Sequence, residues 1–247
     1  MRNSIIRVDK NRWERAQEYE LNAWKKQNAW FMSAAKYMLR FLRLSKIVVG
    51  DDWNCWWGSQ FDNYDFIPKS LENVIELGCG PYTNMRIISD GRHFNNIICS
   101  DPLAKEYINF TRRWLSKQYH KGNVLIDNHP IEECPFKDNY FDLVILINVL
   151  DHVQDAELCL QNATRILKPG GYFIFGQDLT DDEDAEITKD DIGHPIKISH
   201  DQIDSVLLPL FKTSLYKVLS RNEGRNPKGH YGTYCFIGNK LDNSERG

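Results

Sequence analysis

The stretch VIELGCG at residues 74–80 decides the fold, because an apolar run there ends in one carboxylate and two glycines. A short apolar run of this kind is typical of a buried strand. Glycine has no β-carbon, so Gly78 and Gly80 can adopt positive φ and let a ligand approach the main chain closely. The loop indicates a nucleotide-like cofactor. It does not predict a nicotinamide site, because Thr83 stands where the third glycine of that fingerprint would fall.

The next strands also end in polar side chains. Residues 96–101, NIICSD, end in Asp101, at the distance where α/β nucleotide folds place a carboxylate that binds the ribose hydroxyls. The apolar run that begins at residue 141 ends in a polar segment with Asn148, Asp151 and His152. A helix is predicted from about 155 to 167, the KPGG at 168–171 stops it, and YFIF at 172–175 begins another strand.

Together these elements resemble the class I S-adenosylmethionine-dependent methyltransferases, in particular the type 11 group that includes the ubiquinone/menaquinone methyltransferases. The similarity runs from about residue 73 to 178. It rests on ELGCG at 76–80, Asp101, the PF and FD pairs within 135–142, LDHV at 150–153 and RILKPGG at 165–171. An ordinary doubly wound domain, whose glycines only form turns, would not require these elements in this order.

The resemblance implies an α/β fold, namely a doubly wound, mostly parallel seven-stranded sheet of the Rossmann-like methyltransferase type with an N-terminal helical cap. We expect the cap at residues 1–70 and the methyltransferase domain at 71–240, with an acceptor-side loop insertion at 177–200. A helix at about 201–210, capped by Ser199, and two strands at 213–219 and 231–238 should complete the sheet, the last strand being antiparallel.

The implied cofactor is S-adenosyl-L-methionine. Its expected contacts are Glu76, Gly78, Cys79, Gly80, Asp101, Pro102, Leu103, Ile131 and Asn148. Glu76 should order the loop and the cofactor ammonium, and Asp101 should bind the ribose hydroxyls. The chain departs from the family at the acid that recognises the adenine amino group, where Pro130 or Ile131 stands. Asp127 or Glu132 in a shifted turn, or main-chain groups together with Ile131, could replace it.

Apolar residues recur at helical spacing through residues 12–44 and predict one long helix or two shorter ones. Such helices cap the cofactor in the family, but at this spacing we favour for Trp13, Trp24 and Trp30 the role of attaching the helices to the core. A loop with three tryptophans is predicted after them. Trp53, Trp56 and Trp57 either stack on a sugar or an aromatic acceptor or only pack against the core, and the sequence does not decide between these roles.

Methyl transfer from a sulfonium depends mainly on alignment of the reacting atoms and exclusion of water, and an oxygen acceptor also needs a base. Histidine is the side chain best suited to that role near neutral pH. As the general base we rank His194 first and His152 second. His200 and His230 are further candidates and are also expected to bind the substrate. Each of the four could instead have a structural role. Asp151 is expected to orient His152 or an acceptor hydroxyl, or to cap the following helix.

No metal is expected, because residues 177–179 read QDL where the metal-dependent catechol-type enzymes carry an Asp-Asn pair. The acidic run from 177 to 191 is predicted to be a surface loop. The net charge of −3 gives no basic surface for nucleic acid. Six cysteines without a Cys-x-x-Cys pair, and an N-terminus without a signal-like apolar stretch, predict a cytoplasmic protein without a membrane partner.

The expected partner is therefore a small-molecule or glycan acceptor, and a homodimer is possible. A sugar, nucleotide-sugar or glycan oxygen is our preferred acceptor, since the WERAQE at residues 13–18 resembles methyltransferases of bacterial polysaccharide and natural-product pathways. The alternative is a catalytically silent S-adenosylmethionine-binding subunit that activates a partner enzyme.

Overall fold

The structure, a computed structural model, describes residues 7–28, 50–110, 113–180, 192–242 and 244. The predicted helical stripe beyond residue 28, with Trp30, and the acidic run at 181–191 lie outside these residues. Within the described ranges, no helix is both long enough and apolar enough to cross a membrane.

Seven strands form one sheet in the order β3-β2-β1-β4-β5-β7-β6. Their bounds are β1 Ser70–Leu77, β2 His93–Ser100, β3 Leu125–Asp127, β4 Phe141–Ile147, β5 Leu167–Leu179, β6 Phe211–Ser220 and β7 Gly232–Lys240. The first five strands are parallel, and β7 runs antiparallel to both β5 and β6. The predicted fold class is confirmed, including the antiparallel last strand.

Helices cover both faces of the sheet. Their bounds are α1 Lys10–Asn28, α2 Gly50–Gln60, α3 Met85–Ile88, α4 Ala104–Tyr107, α5 Trp114–His120, α6 Ala156–Ile166 and α7 His200–Leu207. One apolar layer packs the sheet against α6 and α7, and a second packs it against α2 and the short helices α3 to α5. The central strand β4 is buried on both faces apart from Asp142, which explains its nearly continuous apolar sequence.

Side-chain caps position the polar residues at the ends of helices. Asp155, rather than Asp151, caps α6, since its Oδ1 accepts a hydrogen bond from the Leu158 amide at 3.1 Å. Asp151 is thereby left for the site. Ser199 caps α7 as predicted, in a reciprocal capping box with Gln202.

Two sequence expectations are corrected by the structure. The predicted tryptophan loop is the helix α2, because Trp57 is 2% exposed and its ring packs over Gly176 of β5. The predicted surface loop does not begin at residue 177. Gln177, Asp178 and Leu179 form the buried end of β5, where pairing with β7 satisfies the backbone.

Candidate active site

A cavity of about 600 Å³ lies at the carboxyl ends of β1, β2 and β4, with α1 and α2 forming its opposite wall. Ligands of open α/β sheets bind at this edge. Twelve of the residues expected from the sequence line it: Trp53, Trp57, Gly78, Cys79, Gly80, Asp101, Pro102, Ile131, Asn148, His152, His194 and His230.

The glycine loop has the backbone that the sequence predicted. Gly78 and Gly80 have φ of +67° and +55°. A β-carbon on Gly78 would lie 2.4 Å from a methyl group of Val149, whereas one on Gly80 would meet nothing within 4 Å. Gly78 is thus required by packing between β1 and the segment after β4. Gly80 leaves open space beside the main chain for a ligand.

Glu76 lies behind this loop and not on the cavity wall. Its carboxylate accepts hydrogen bonds from the amides of Asn84 and Met85, at 2.9 and 3.0 Å, and from the Thr83 hydroxyl. Burial raises the pKa of Glu76, although these hydrogen bonds act in the opposite direction. These hydrogen bonds agree with the expected role of Glu76 in ordering the loop, whereas its position behind the loop does not favour a direct contact with the cofactor. Thr83 belongs to the same network.

Asp101 joins the ends of two strands at the cavity wall. Its Oδ2 accepts a hydrogen bond from the Gly80 amide at 3.0 Å, and its Oδ1 accepts one from the Leu103 amide at 2.8 Å. Burial, followed by the nearby charge of Glu20, raises the pKa of Asp101 to about 7. The Leu103 side chain packs into the core rather than lining the cavity, so its expected position beside adenine is not found.

Among the residues that the structure describes, the end of the cavity near β3 offers no acid with both oxygens available to adenine. Pro130, Ile131 and Glu132 line it, but Glu132 Oε1 already accepts hydrogen bonds from the amides of Gln154 and Asp155, at 2.7 and 3.0 Å. Asp127 is outside the wall and binds Ser100 and His129. Ile131 and main-chain groups are therefore the alternative that this geometry favours.

Two imidazoles meet a buried carboxylate after β4. The ring centroids of His152 and His194 are 4.5 Å apart, and Asp151 is 2% exposed. Neither Asp151 oxygen has a hydrogen-bond partner among the described residues. Burial alone would raise the pKa of Asp151, but the charges of His152 and His194 lower it to about 2. This cluster can accept and hold a proton at the cavity wall.

The same three side chains are the one group in the described part of the chain whose ligand atoms could surround a metal ion. Those atoms lie within 4.8 Å of one another. His152 Nδ1 lies 3.0 Å from the Gly193 carbonyl oxygen, which can only accept a hydrogen bond. In the neutral ring the proton is therefore on Nδ1, and Nε2 carries none.

A second polar cluster lies beside α2, at the end of β5. Arg225 Nη2 and Nε donate to Asp178 Oδ2 at 2.6 and 3.0 Å, and the Thr233 hydroxyl donates to Asp178 Oδ1 at 2.9 Å. The guanidinium lies 5.2 Å from the ring centroid of Trp53. His230 Nε2 is 3.7 Å from Asp178 Oδ2. Sequence reasoning did not find Arg225, because its loop carries no motif.

Helix α1 contributes cavity residues that the sequence placed in packing or did not identify. Trp13 and Trp24 both line the cavity, as do Gln17 and Glu20. Trp24 Nε1 donates to Glu20 Oε1 at 3.0 Å, and Gln17 Nε2 donates to the His152 carbonyl at 3.2 Å. The α1 tryptophans thus cover the cavity in addition to attaching the helix.

Two expected substrate-binding residues lie away from the cavity. Trp56 packs edge-on against Trp57, with ring centroids 5.0 Å apart. His200 contacts the Tyr231 hydroxyl and lies 2.9 Å from Asp201 Oδ1. Neither side chain is on the cavity wall.

Comparison with known proteins agrees with this geometry. Residues 75–175 match the family model described as a methyltransferase domain. This match places a class I S-adenosylmethionine-dependent methyltransferase domain over residues 75–175, and S-adenosyl-L-methionine is the cofactor of that family.

Among curated relatives, the ubiquinone/menaquinone biosynthesis C-methyltransferase UbiE of Vibrio campbellii is 35% identical over 107 residues, covering 42% of this chain and 40% of UbiE. The chain spans 30% to 56% of the length of four such relatives.

Solved structures share the fold at low sequence identity. The N-methyltransferase NodS from Bradyrhizobium japonicum, in complex with S-adenosyl-L-homocysteine, has a TM-score of 0.59 at 12% identity and covers 90% of this chain and 99% of NodS. A complex of the Haloferax volcanii Trm112 methyltransferase activator with a putative methyltransferase gives 0.59 at 15% identity, covering 80% and 100%. These structures support the fold alone.

Proposed function

We propose that this protein binds S-adenosyl-L-methionine in the cavity and transfers its methyl group to an oxygen of a small-molecule acceptor, with a sugar, nucleotide-sugar or glycan hydroxyl as the preferred class. One observation carries the proposal. Asp101 and the open glycine loop share a single cavity with the imidazoles of His152 and His194. The residues proposed to bind the cofactor and the imidazoles proposed to accept the proton thus line the same cavity.

The charges of the cavity suit a cationic cofactor. Glu20, Asp101 and Glu132 all line its wall, and a sulfonium with an ammonium group is stabilised by nearby carboxylates. In this proposal Asp101 binds the ribose hydroxyls, Ile131 packs on adenine and Asn148 lies near the sulfur. These proposed positions follow the order of the strands in the sheet: Ile131 comes after β3, Asp101 after β2 and Asn148 after β4, with β1 between β2 and β4.

The reaction requires a line of three atoms and one proton acceptor. The acceptor oxygen attacks the methyl carbon, the carbon–sulfur bond breaks, and the electron pair stays on sulfur. His194, or His152 as the second candidate, takes the proton from the acceptor hydroxyl. Asp151 acts as a positioning residue, because its ionised carboxylate stabilises the imidazolium that forms. Most of the rate comes from orientation and exclusion of water.

An aromatic wall supports the preferred acceptor class. Trp53 and Trp57 line the cavity on α2, and indole rings stack well on sugar and aromatic faces. His230 lies beside them as a hydrogen-bonding group. In this proposal α1 and α2, the described helices of the expected 1–70 cap, cover the cavity of the 71–240 domain. The imidazoles lie beside the acceptor hydroxyl and leave the line between its oxygen and the methyl carbon free.

A silent S-adenosylmethionine-binding subunit that activates a partner enzyme is the second candidate. Its support is that one chain of a solved complex between a methyltransferase activator and a putative methyltransferase shares this fold. The enzyme is favoured here, because a silent subunit would have no use for an imidazole pair around a buried carboxylate.

The test uses purified protein, cofactor labelled in its methyl group, and a small-molecule cell extract. The proposal expects label in a new product with wild-type protein and little with His194→Ala. Cofactor binding without any transfer to extract molecules would favour the silent subunit. Absence of both binding and transfer would overturn the proposed function.

A further inference from the structure

Arg225 is held at the cavity wall with part of its hydrogen-bonding capacity unused. A guanidinium has five N–H donors. Nε and Nη2 bind Asp178, while Nη1 has no hydrogen-bond partner among the described residues. Asp178 is 1% exposed and its other oxygen is occupied by Thr233. The arginine is thus anchored from behind, and Nη1 keeps two donors for a ligand.

His230 provides a second unsatisfied group in the same cluster. It is 9% exposed, it lines the cavity, and its Nδ1 is buried without a hydrogen-bond partner in the described structure. A buried polar atom without a partner costs free energy. A ligand oxygen that accepts from Nδ1–H would remove that cost.

Charge is separated along the cavity. Arg225 is the one Lys or Arg side chain on the wall formed by the described residues, and it lies beside the end of β5. The carboxylates of Glu20, Asp101 and Glu132 belong to α1 and to the ends of β2 and β3. Strands β1 and β4 separate β2 from β5 in the sheet. Arg225 and His230 therefore lie beyond the proposed cofactor, toward the acceptor.

We infer that Arg225 and His230 form an anion-binding subsite for the acceptor, so that the acceptor carries a carboxylate or phosphate group in addition to the hydroxyl that is methylated. This inference rests on the proposed function. Guanidinium groups bind both anions through paired hydrogen bonds. Trp53 and Trp57 flank the arginine and would contact the ring next to the anionic group. The other possible source of the anion is the cofactor's own carboxylate.

The first experiment measures tryptophan fluorescence while inorganic phosphate is added at constant ionic strength to protein saturated with S-adenosylhomocysteine. Wild-type protein should give a saturable change, and neutral glucose should not compete with phosphate. Arg225→Gln should weaken phosphate binding tenfold or more, as expected for loss of a charge-assisted hydrogen bond. Arg221→Gln, in the same loop but off the cavity wall, is the matched control and should bind phosphate like wild type.

Folding of the Arg225 variant needs its own control, because Asp178 loses its partner. Arg225→Lys keeps the charge and should retain phosphate binding better than Arg225→Gln. The wild-type titration requires no variant at all. Absence of saturable phosphate binding to the wild-type protein would overturn the subsite.

The second experiment assigns the source of the anion. Calorimetric titration with S-adenosylhomocysteine should give the same affinity for wild type and Arg225→Gln. The Michaelis constant for the extract molecule that takes up the labelled methyl group should rise in Arg225→Gln. A tenfold loss of S-adenosylhomocysteine affinity would assign the site to the cofactor carboxylate and overturn the acceptor inference. The methylated product should also bind to an anion-exchange column at neutral pH. A product that passes unretained would overturn the inference while leaving the proposed function intact.

Discussion

The carboxylate of Asp151 faces two adjacent imidazoles, with Oδ1 3.8 Å from His152 Nε2 and Oδ2 4.0 Å from His194 Nε2. These distances are longer than hydrogen bonds, so the interaction is a charge interaction. A buried carboxylate near an imidazole stabilises the protonated form of that ring. The arrangement is therefore suited to hold the proton that leaves an acceptor hydroxyl.

Replacing Asp151 by Asn should lower turnover on the order of tenfold or more, since the imidazolium loses its counter-charge. The loss should fall on kcat and leave the affinity for S-adenosylhomocysteine unchanged, because Asp151 lies behind the cavity wall. Steady-state rates and calorimetric titration check this. A variant that also loses S-adenosylhomocysteine affinity would show that Asp151 has only a structural role.

Removal of the base candidate should affect chemistry more than binding. His194→Ala should lower kcat by a factor on the order of 10² or more, and His152→Ala is the second variant to compare. The affinity for S-adenosylhomocysteine should stay near the wild-type value in both. His200→Ala, off the cavity wall, should keep the wild-type rate. If neither cavity histidine affects kcat, the base assignment is wrong.

Chelation should leave turnover unchanged, because the proposed chemistry uses the imidazoles as bases. The measurement compares rates before and after dialysis against EDTA, with metal content determined by mass spectrometry. A loss of activity that zinc or another divalent cation restores would instead make Asp151, His152 and His194 metal ligands.

Cofactor binding should strengthen as pH rises through about 7. Asp101 has its pKa raised to about 7 by burial and by Glu20, and only the ionised carboxylate accepts hydrogen bonds from both ribose hydroxyls. Binding should therefore release a proton below that pH. Calorimetry in buffers of different ionisation enthalpy detects the release. Glu20→Gln should move the dependence to lower pH, and Asp101→Asn should abolish it.

The same pKa shift affects the stability of the ligand-free protein. The folded state keeps the Asp101 proton up to about pH 7, whereas the unfolded chain loses it near the ordinary value of 3.8. The contribution of Asp101 to stability therefore falls as pH rises between these two values. Binding of a cationic cofactor offsets that loss.

The sequence was sufficient for the parts of the site that follow a strand directly. Asp101 and Asn148 were located from apolar runs and the polar residues that end them, whereas Ile131 was located from the family resemblance. The carboxyl ends of parallel strands meet at one edge of the sheet, so local patterns there predict a shared site. The glycine loop could also be predicted from the sequence, because a backbone with positive φ favours glycine.

The parts that the sequence did not reveal depend on contacts between distant segments. Arg225 reaches Asp178 across 47 residues, and no local spacing signals that pair. Helix α2 was interpreted as a loop, although Trp53, Trp56 and Trp57 have the i, i+3, i+4 spacing of a helix. Burial of Trp57 over Gly176 stabilises that helix through tertiary packing. Glu20 lies on a helix whose spacing indicated only an attachment to the core.

The central claim, that the glycine loop and Asp101 hold the cofactor, is tested most directly by calorimetric titration with S-adenosylhomocysteine. Wild-type protein should bind one molecule per chain. Gly80→Ala should weaken binding, because a β-carbon would occupy the open space beside the loop. Gly91→Ala has nearly the same φ, +66°, lies outside the cavity, and should bind like wild type. No binding to wild-type protein at saturating ligand, or equal affinity for Gly80→Ala and wild type, would contradict the account.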